Sequence, residues 1–180
     1  MLDVVQNAVE ARSSQIDLLI AEEDDHLRIA VADNGSGMDQ ATLDRVQDPF
    51  FTDGTKHPGR SVGLGIPFLR QLVDATGGRF HLWSEPGAGT RLEVELPRDH
   101  IDLPPTGDLP TVFQQALCFF GDYNMTIRRS VDGTTYQVDR HELAEALGEL
   151  ETVGSQSLLR DYIADQEASL TDTEAEQWQR

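Results

Sequence analysis

Basic residues are scarce in this chain. Lysine and arginine number 14 against 32 aspartates and glutamates over 180 residues, for a formal charge of −18 spread along both halves. Binding nucleic-acid phosphates needs the opposite sign, so DNA and RNA are not expected as ligands. The acidic surface reads first as a solvated one, with a basic partner protein as the alternative. Cysteine is nearly absent: Cys118 alone rules out an internal disulfide, and within the apolar ALCFF it reads as core filler. No apolar run approaches a membrane span and no charged-then-apolar leader opens the sequence, so a soluble cytoplasmic protein with no membrane contact is expected.

Familiar site motifs are missing as well. No two of the five histidines have metal-ligand spacing. GTKHPGRS (54–61) has phosphate-loop spacing, but Arg60 replaces the lysine and no strand precedes it. Gly63-x-Gly65 lacks the third glycine of a dinucleotide fingerprint, because Phe68 stands there. An EF-hand reading from Asp33 fails at its third and fifth positions, both glycine.

What is present is an alternation of periods. Residues 2–11 place Val5, Ala8 and Val9 on one helical face and Asp3, Asn7 and Glu10 on another. Ile16, Leu18 and Ile20, then Leu27, Ile29 and Val31, alternate as two strands around an acidic turn. Asp39 is a good N-cap for a short helix to about Val46. Pro49, Gly54, Pro58 and Gly59 make 47–62 a mobile loop. A helix over 63–76 tolerates Pro67 in its first turn and ends at Gly77-Gly78. Residues 79–84 and 91–96 form a hairpin. The fold class is α/β: a two-layer sandwich, one mixed sheet with helices on one face, plus a small C-terminal α+β unit.

The motifs lie where these elements end. A strand delivers Asp33, whose carboxylate can accept from an exocyclic amine, while Gly35 and Gly37 leave room for a flat base. The helix beginning near Gly63 offers free N–H groups to phosphate oxygens, and Gly63 and Gly65 allow close approach. Asn7 can give an amide oxygen to a Mg2+ bridging phosphates. Asp3, one turn earlier, can orient a water or hydroxyl, and equally reads as a helix N-cap.

In this order the motifs resemble the ATP-binding domain shared by gyrase, the Hsp90 chaperone, histidine kinases and the mismatch-repair ATPase, the GHKL superfamily with its Bergerat fold. Asp3-x-x-x-Asn7 is similar to the N box, and Asp33-Asn34-Gly35-Ser36-Gly37-Met38 to the first glycine box. Asp48-Pro49-Phe50-Phe51-Thr52 resembles the lid segment of histidine kinases, and Gly63-Leu64-Gly65-Ile66 the second glycine box. Gly87-Ala88-Gly89-Thr90, before a strand ending in Leu96-Pro97, resembles the close of the domain. The resemblance covers 1–97. It implies ATP and Mg2+, with Asp33 on the adenine amine, Asn7 on the metal and Thr90 near the adenine or phosphate end. Met38, Gly63, Leu64 and Gly65 stand in the two boxes. Lys56 would contact phosphate from the lid, or is a solvated loop lysine.

Departures from that pattern narrow the function. Members that hydrolyse ATP usually carry glutamate where Asp3 stands, so slow hydrolysis is expected. A sensor kinase's dimerisation helix, with its phosphoacceptor histidine, would precede the N box, which here begins at residue 3. A short, stand-alone protein without usual self-phosphorylation is therefore expected. Three readings compete: a kinase acting in trans on a separate protein, as anti-sigma-factor serine kinases of the superfamily do; a nucleotide-gated binding switch with slow hydrolysis; and a degenerate domain, which the intact glycine boxes disfavour. A homodimer is left open. Residues 98–108 read as a linker and 109–170 as a docking or regulatory unit, set against the alternative of extra packing on the sheet. Within that unit, helices are expected over 109–120, 140–147 and 155–169 and a hairpin turns at Asp132-Gly133; 171–180 are expected as a disordered tail.

Overall fold

The computed structural model describes residues 1–47 and 64–177, with side chains to Leu170. The expected lid, with Asp48 to Thr52, Lys56 and Gly63, lies outside the described residues. Helix α1 (Leu2–Glu10) leads into an antiparallel pair, β1 (Gln15–Glu22) and β2 (His26–Asp33). Helix α2 (Gln40–Arg45) begins where expected, with the Thr42 N–H donating to the Asp39 side chain at 2.8 Å. Helix α3 (Gly65–Thr76) ends at Gly77, whose φ of 69° is the left-handed conformation that closes helices at low cost. The hairpin β3 (Arg79–Glu85) and β4 (Gly89–Pro97) follows.

No helix or strand lies between Pro97 and Leu109. Helix α4 (Leu109–Leu117) then stops three residues before the expected Phe120, which is left exposed. Strands β5 (Asn124–Val131) and β6 (Thr134–Asp139) turn through Asp132 and Gly133, with φ of 44° and 87°, the mirror-image geometry favoured in two-residue hairpins. Helices α5 (Arg140–Leu147) and α6 (Val153–Gln177) complete the chain. Helix α6 runs past the expected end at Ser169, into the residues expected as a tail. Among the described residues no helix is long and apolar enough to cross a membrane.

The strand order is β3-β4-β2-β1-β5-β6. β5 runs parallel to β1, from Gln15 opposite Asn124 to Glu22 opposite Val131, while every other pairing is antiparallel. One mixed sheet therefore continues across residues 98–108, and the C-terminal hairpin is packed onto it as its last two strands. Alternation sends Ile16, Leu18, Ile20, Val94, Leu96, Met125 and Ile127 to one face. There they join Val5 and Ala8 of α1, Phe113 of α4 and Leu159 and Ile163 of α6 in a single core.

Two polar fixtures hold the added strands. Arg129 of β5, only 5% exposed at its side chain, pairs with Glu22 of β1 and with Glu167 of α6 (3.3 Å). Glu167 also accepts the Tyr136 hydroxyl, and burial together with that carboxylate pushes the phenol pKa up. Asp139 caps α5: its Oδ1 accepts from His141 N (2.9 Å) and Glu142 N (3.3 Å), its Oδ2 from Asn124 Nδ2 (2.9 Å) and Thr126 Oγ1 (3.2 Å). Burial opposes the charge of Asp139, but these donors hold its pKa below the ordinary value. A depressed folded pKa stabilises above the unfolded value and loses that contribution as pH falls through the folded one. Asp139→Ala is expected to cost about 1–2 kcal/mol in urea unfolding at neutral pH. The difference should shrink below about pH 4; a pH-independent difference would refute the charged cap.

Candidate nucleotide site

Helix α1 carries Asp3 and Asn7 one turn apart on one face. Asp3 lies inside α1, after the N-cap Met1, so it does not cap its own helix. It caps another: the Gly65 N–H at the start of α3 donates to Asp3 Oδ2 at 2.8 Å. The α3 N-cap, Leu64, supplies no side-chain acceptor, so a carboxylate from α1 answers the exposed donors and the positive end of the dipole. A Cβ at Gly65 would lie 2.6 Å from the same oxygen and 2.9 Å from Asp3 Cβ, so any side chain there would displace the carboxylate. Asn7 is exposed and its amide makes no hydrogen bond among the described residues.

Asp33 ends β2 at the other side of the site. Its Oδ1 accepts from the Gly35 N–H at 2.8 Å. Ser13 Oγ stands 2.9 Å from the same oxygen and 2.8 Å from the Ala8 carbonyl, its one proton serving either acceptor. Asp33 Oδ2 has no hydrogen-bond partner among the described residues, so one carboxylate oxygen is fixed and the other is free to receive a donor. Asn34 anchors the turn, its Oδ1 accepting from Ser14 N and Gln15 N, both at 2.9 Å.

The glycines of this loop have a reason other than the expected room for a flat base. A Cβ at Gly35 would meet Ser13 Oγ at 2.5 Å and Ala11 at 2.8 Å. Gly37 has a φ of 62°, and its Cβ would fall 1.8 Å from the Glu85 carbonyl oxygen. The chain is pressed against α1 and the β3–β4 hairpin, and only glycine fits. Ser36 N donates to the Ala11 carbonyl (2.9 Å), and the Ser36 carbonyl accepts from Gly87 N (2.7 Å).

Met38 and Thr90 meet through a residue that no motif contains. Met38 N donates to Ser84 Oγ (2.8 Å), which stands 2.9 Å from Thr90 Oγ1 and 2.9 Å from the Gly89 carbonyl. Thr90 thus braces the loop from the sheet side. Ser84 and Ser13 carry no signal of their own in the sequence because both lie outside the boxes; only the register of the hairpin sets Ser84 opposite Thr90. The structure therefore brings Asp3, Leu64 and Gly65 to one end of α1, and Asp33, Gly35, Gly37, Met38 and Thr90 to the other. Lys56 and Gly63 lie outside the described residues.

Among those residues no group of three or more His, Cys, Asp or Glu could hold a metal. A cation here would take its protein oxygen from Asn7 and the rest from phosphate and water, as magnesium commonly does.

The family model described as histidine kinase-, DNA gyrase B-, and HSP90-like ATPase matches residues 1–100. Sporulation kinase A of Bacillus subtilis is 29% identical over 99 residues, 54% of this chain and 16% of that protein. Sensor protein kinase FleS of Pseudomonas aeruginosa is 40% identical over 99 residues, 54% of this chain and 24% of that protein. The chain thus matches less than a quarter of the length of either relative. The catalytic domain of histidine kinase ThkA superposes with a TM-score of 0.41 and 23% identity, covering 53% of this chain and 63% of that one. With more than half its length matched by the family model, the chain belongs to the histidine kinase-, DNA gyrase B-, and HSP90-like ATPase family, and membership implies that it binds ATP.

Proposed function

We propose that this chain binds Mg-ATP between α1, the 33–38 loop and the start of α3, and phosphorylates a separate protein. The observation that carries the binding is the divided carboxylate of Asp33: Oδ1 is held by Gly35 N and Oδ2 stays available for the adenine amine. Thr90 and Ser84 keep the loop under the base. The α3 N-terminus receives phosphate, with Leu64 and Gly65 nearest and Gly63 and Lys56 adding contacts. Asn7 supplies the amide oxygen for magnesium, which when bound neutralises phosphate charge. Asp3 orients the hydroxyl of the incoming protein and takes its proton.

Incubation with γ-labelled ATP and the proteins encoded beside its gene tests the reaction. Transfer to one of them should fall by about 10²–10⁴ in Asp3→Asn, while Mg-ATP affinity by calorimetry changes only a few-fold. Transfer that survives Asp3→Asn would exclude Asp3 as the acceptor of the hydroxyl proton.

One observation favours a second reading. The Asp3 carboxylate already accepts from Gly65 N, where a phosphate oxygen would come. In that case Asp3 is a latch released by nucleotide, and the chain is a binding switch with slow hydrolysis. Tight Mg-ATP binding with no label on any partner supports the switch.

A further inference from the structure

The sheet ends at β6, whose outer edge pairs with no strand among the described residues. Beside it, α5, α6 and β6 leave a groove of about 450 Å3. Val138, Leu143, Ala146, Leu147, Leu158 and Tyr162 form an apolar lining. Leu158 and Tyr162 are 59% and 43% exposed, whereas Leu159 and Ile163, the next residues along, are fully buried under the core. Helix α6 is thus apolar on two sides and has covered only one of them.

The rim of the groove is acidic. Glu142 lines it, and Glu145 stands one turn along α5. On α6, Asp161 stands three residues after Leu158 and Asp165 three after Tyr162. None of the four carboxylates pairs with a basic group among the described residues. Arg140 of α5 pairs with Glu151 and Arg160 of α6 with Asp108. Leu143 with Leu147 and Leu158 with Tyr162 are both one turn apart, rows between which the ridge of a third helix fits.

We propose that this groove docks an amphipathic helix of a partner protein, with large aliphatic residues on its buried face and lysine or arginine along both flanks. The apolar lining supplies the contact area. The unpaired rim selects basic flanks and rejects acidic ones. Such docking does not depend on whether phosphate is transferred.

Fluorescence anisotropy on the full chain tests it with three labelled peptides: a leucine–lysine helix with leucines at i, i+3, i+4 and i+7, an alternating peptide of the same composition, and a leucine–glutamate helix. The leucine–lysine helix should bind, more weakly as salt rises, and the other two at least tenfold less tightly. Leu158→Asp should weaken that binding at least tenfold although it makes the chain more acidic, which separates the groove from general charge attraction. Glu142→Lys with Asp161→Lys should reverse the preference between the lysine and glutamate helices. Circular dichroism checks that these exposed substitutions leave the fold intact. No binding by the leucine–lysine helix, equal binding by the alternating peptide, or binding unchanged in Leu158→Asp would overturn the proposal. So would sedimentation showing a dimer of the chain that Leu158→Asp dissolves, since a second copy would then be the occupant.

Discussion

Asp33→Asn is expected to weaken Mg-ATP binding by about 3 kcal/mol, roughly 150-fold. The loss follows from a count of donors and acceptors. In the wild type, Oδ1 accepts from Gly35 N, with the Ser13 hydroxyl beside it, and Oδ2 is the oxygen proposed to take the adenine amine. An asparagine amide has one oxygen and one NH2 group. If its oxygen keeps Gly35, its NH2 faces the adenine amine, donor against donor. If it flips, its NH2 faces the Gly35 N–H and the loop loses its anchor. Either orientation leaves one conflict in a partly desolvated place, and a charge-assisted bond is lost as well. Calorimetry with Mg-ATP should show the loss, and thermal unfolding without nucleotide should be little altered. Affinity within threefold of wild type would remove Asp33 from adenine recognition.

Arg129→Ala is expected to be the most damaging substitution for stability, at about 3–5 kcal/mol. Its side chain is almost wholly buried between Glu22 and Glu167, and also donates to the Ser130 carbonyl at 2.6 Å. Its removal leaves Glu167 with no cation, beside a Glu22 that keeps only Arg98 at 3.3 Å. For a chain of this length the midpoint of thermal unfolding should drop by about 10 °C. Combining Arg129→Met with Glu167→Gln should recover most of the loss, because the cost lies chiefly in the carboxylate of Glu167, while Glu22 still pairs with Arg98. A loss under about 1 kcal/mol for Arg129→Ala would show that water reaches the two glutamates.

Much of the first hundred residues is legible from local signals. Alternation marked β1 and β2, Asp39 announced α2, and Gly77 closed α3 where the glycine pair stood. Those signals act within a few residues of where they are written. The parallel pairing of β1 with β5 does not: nothing local to Leu18 indicates that Ile127 will lie beside it. Parallel strands need long connections, so the sheet's continuation is a property of the collapsed chain rather than of any window in it. The site divides the same way. Asp33 and Gly65 stood out through their motifs, but the capping of α3 by Asp3 and the clamp of Ser84 on Met38 join residues far apart in sequence. The extent of α6 was obscured because the periodic signal of Leu159, Ile163 and Leu170 fades in its polar last turns.

The pairing of Gln15 with Asn124 also sets an order in time. A ribosome finishes β1 about 110 residues before its neighbour exists, an interval of roughly 5–20 s at ~5–20 residues per second. Through that interval β1 offers bare backbone donors and acceptors along one side, next to the apolar row of Ile16, Leu18 and Ile20. A nascent chain in that condition can join another strand edge-to-edge. The last strands to be made are therefore the ones that shield the first, and a chain cut short after Pro97 should aggregate through β1 even with its nucleotide motifs complete.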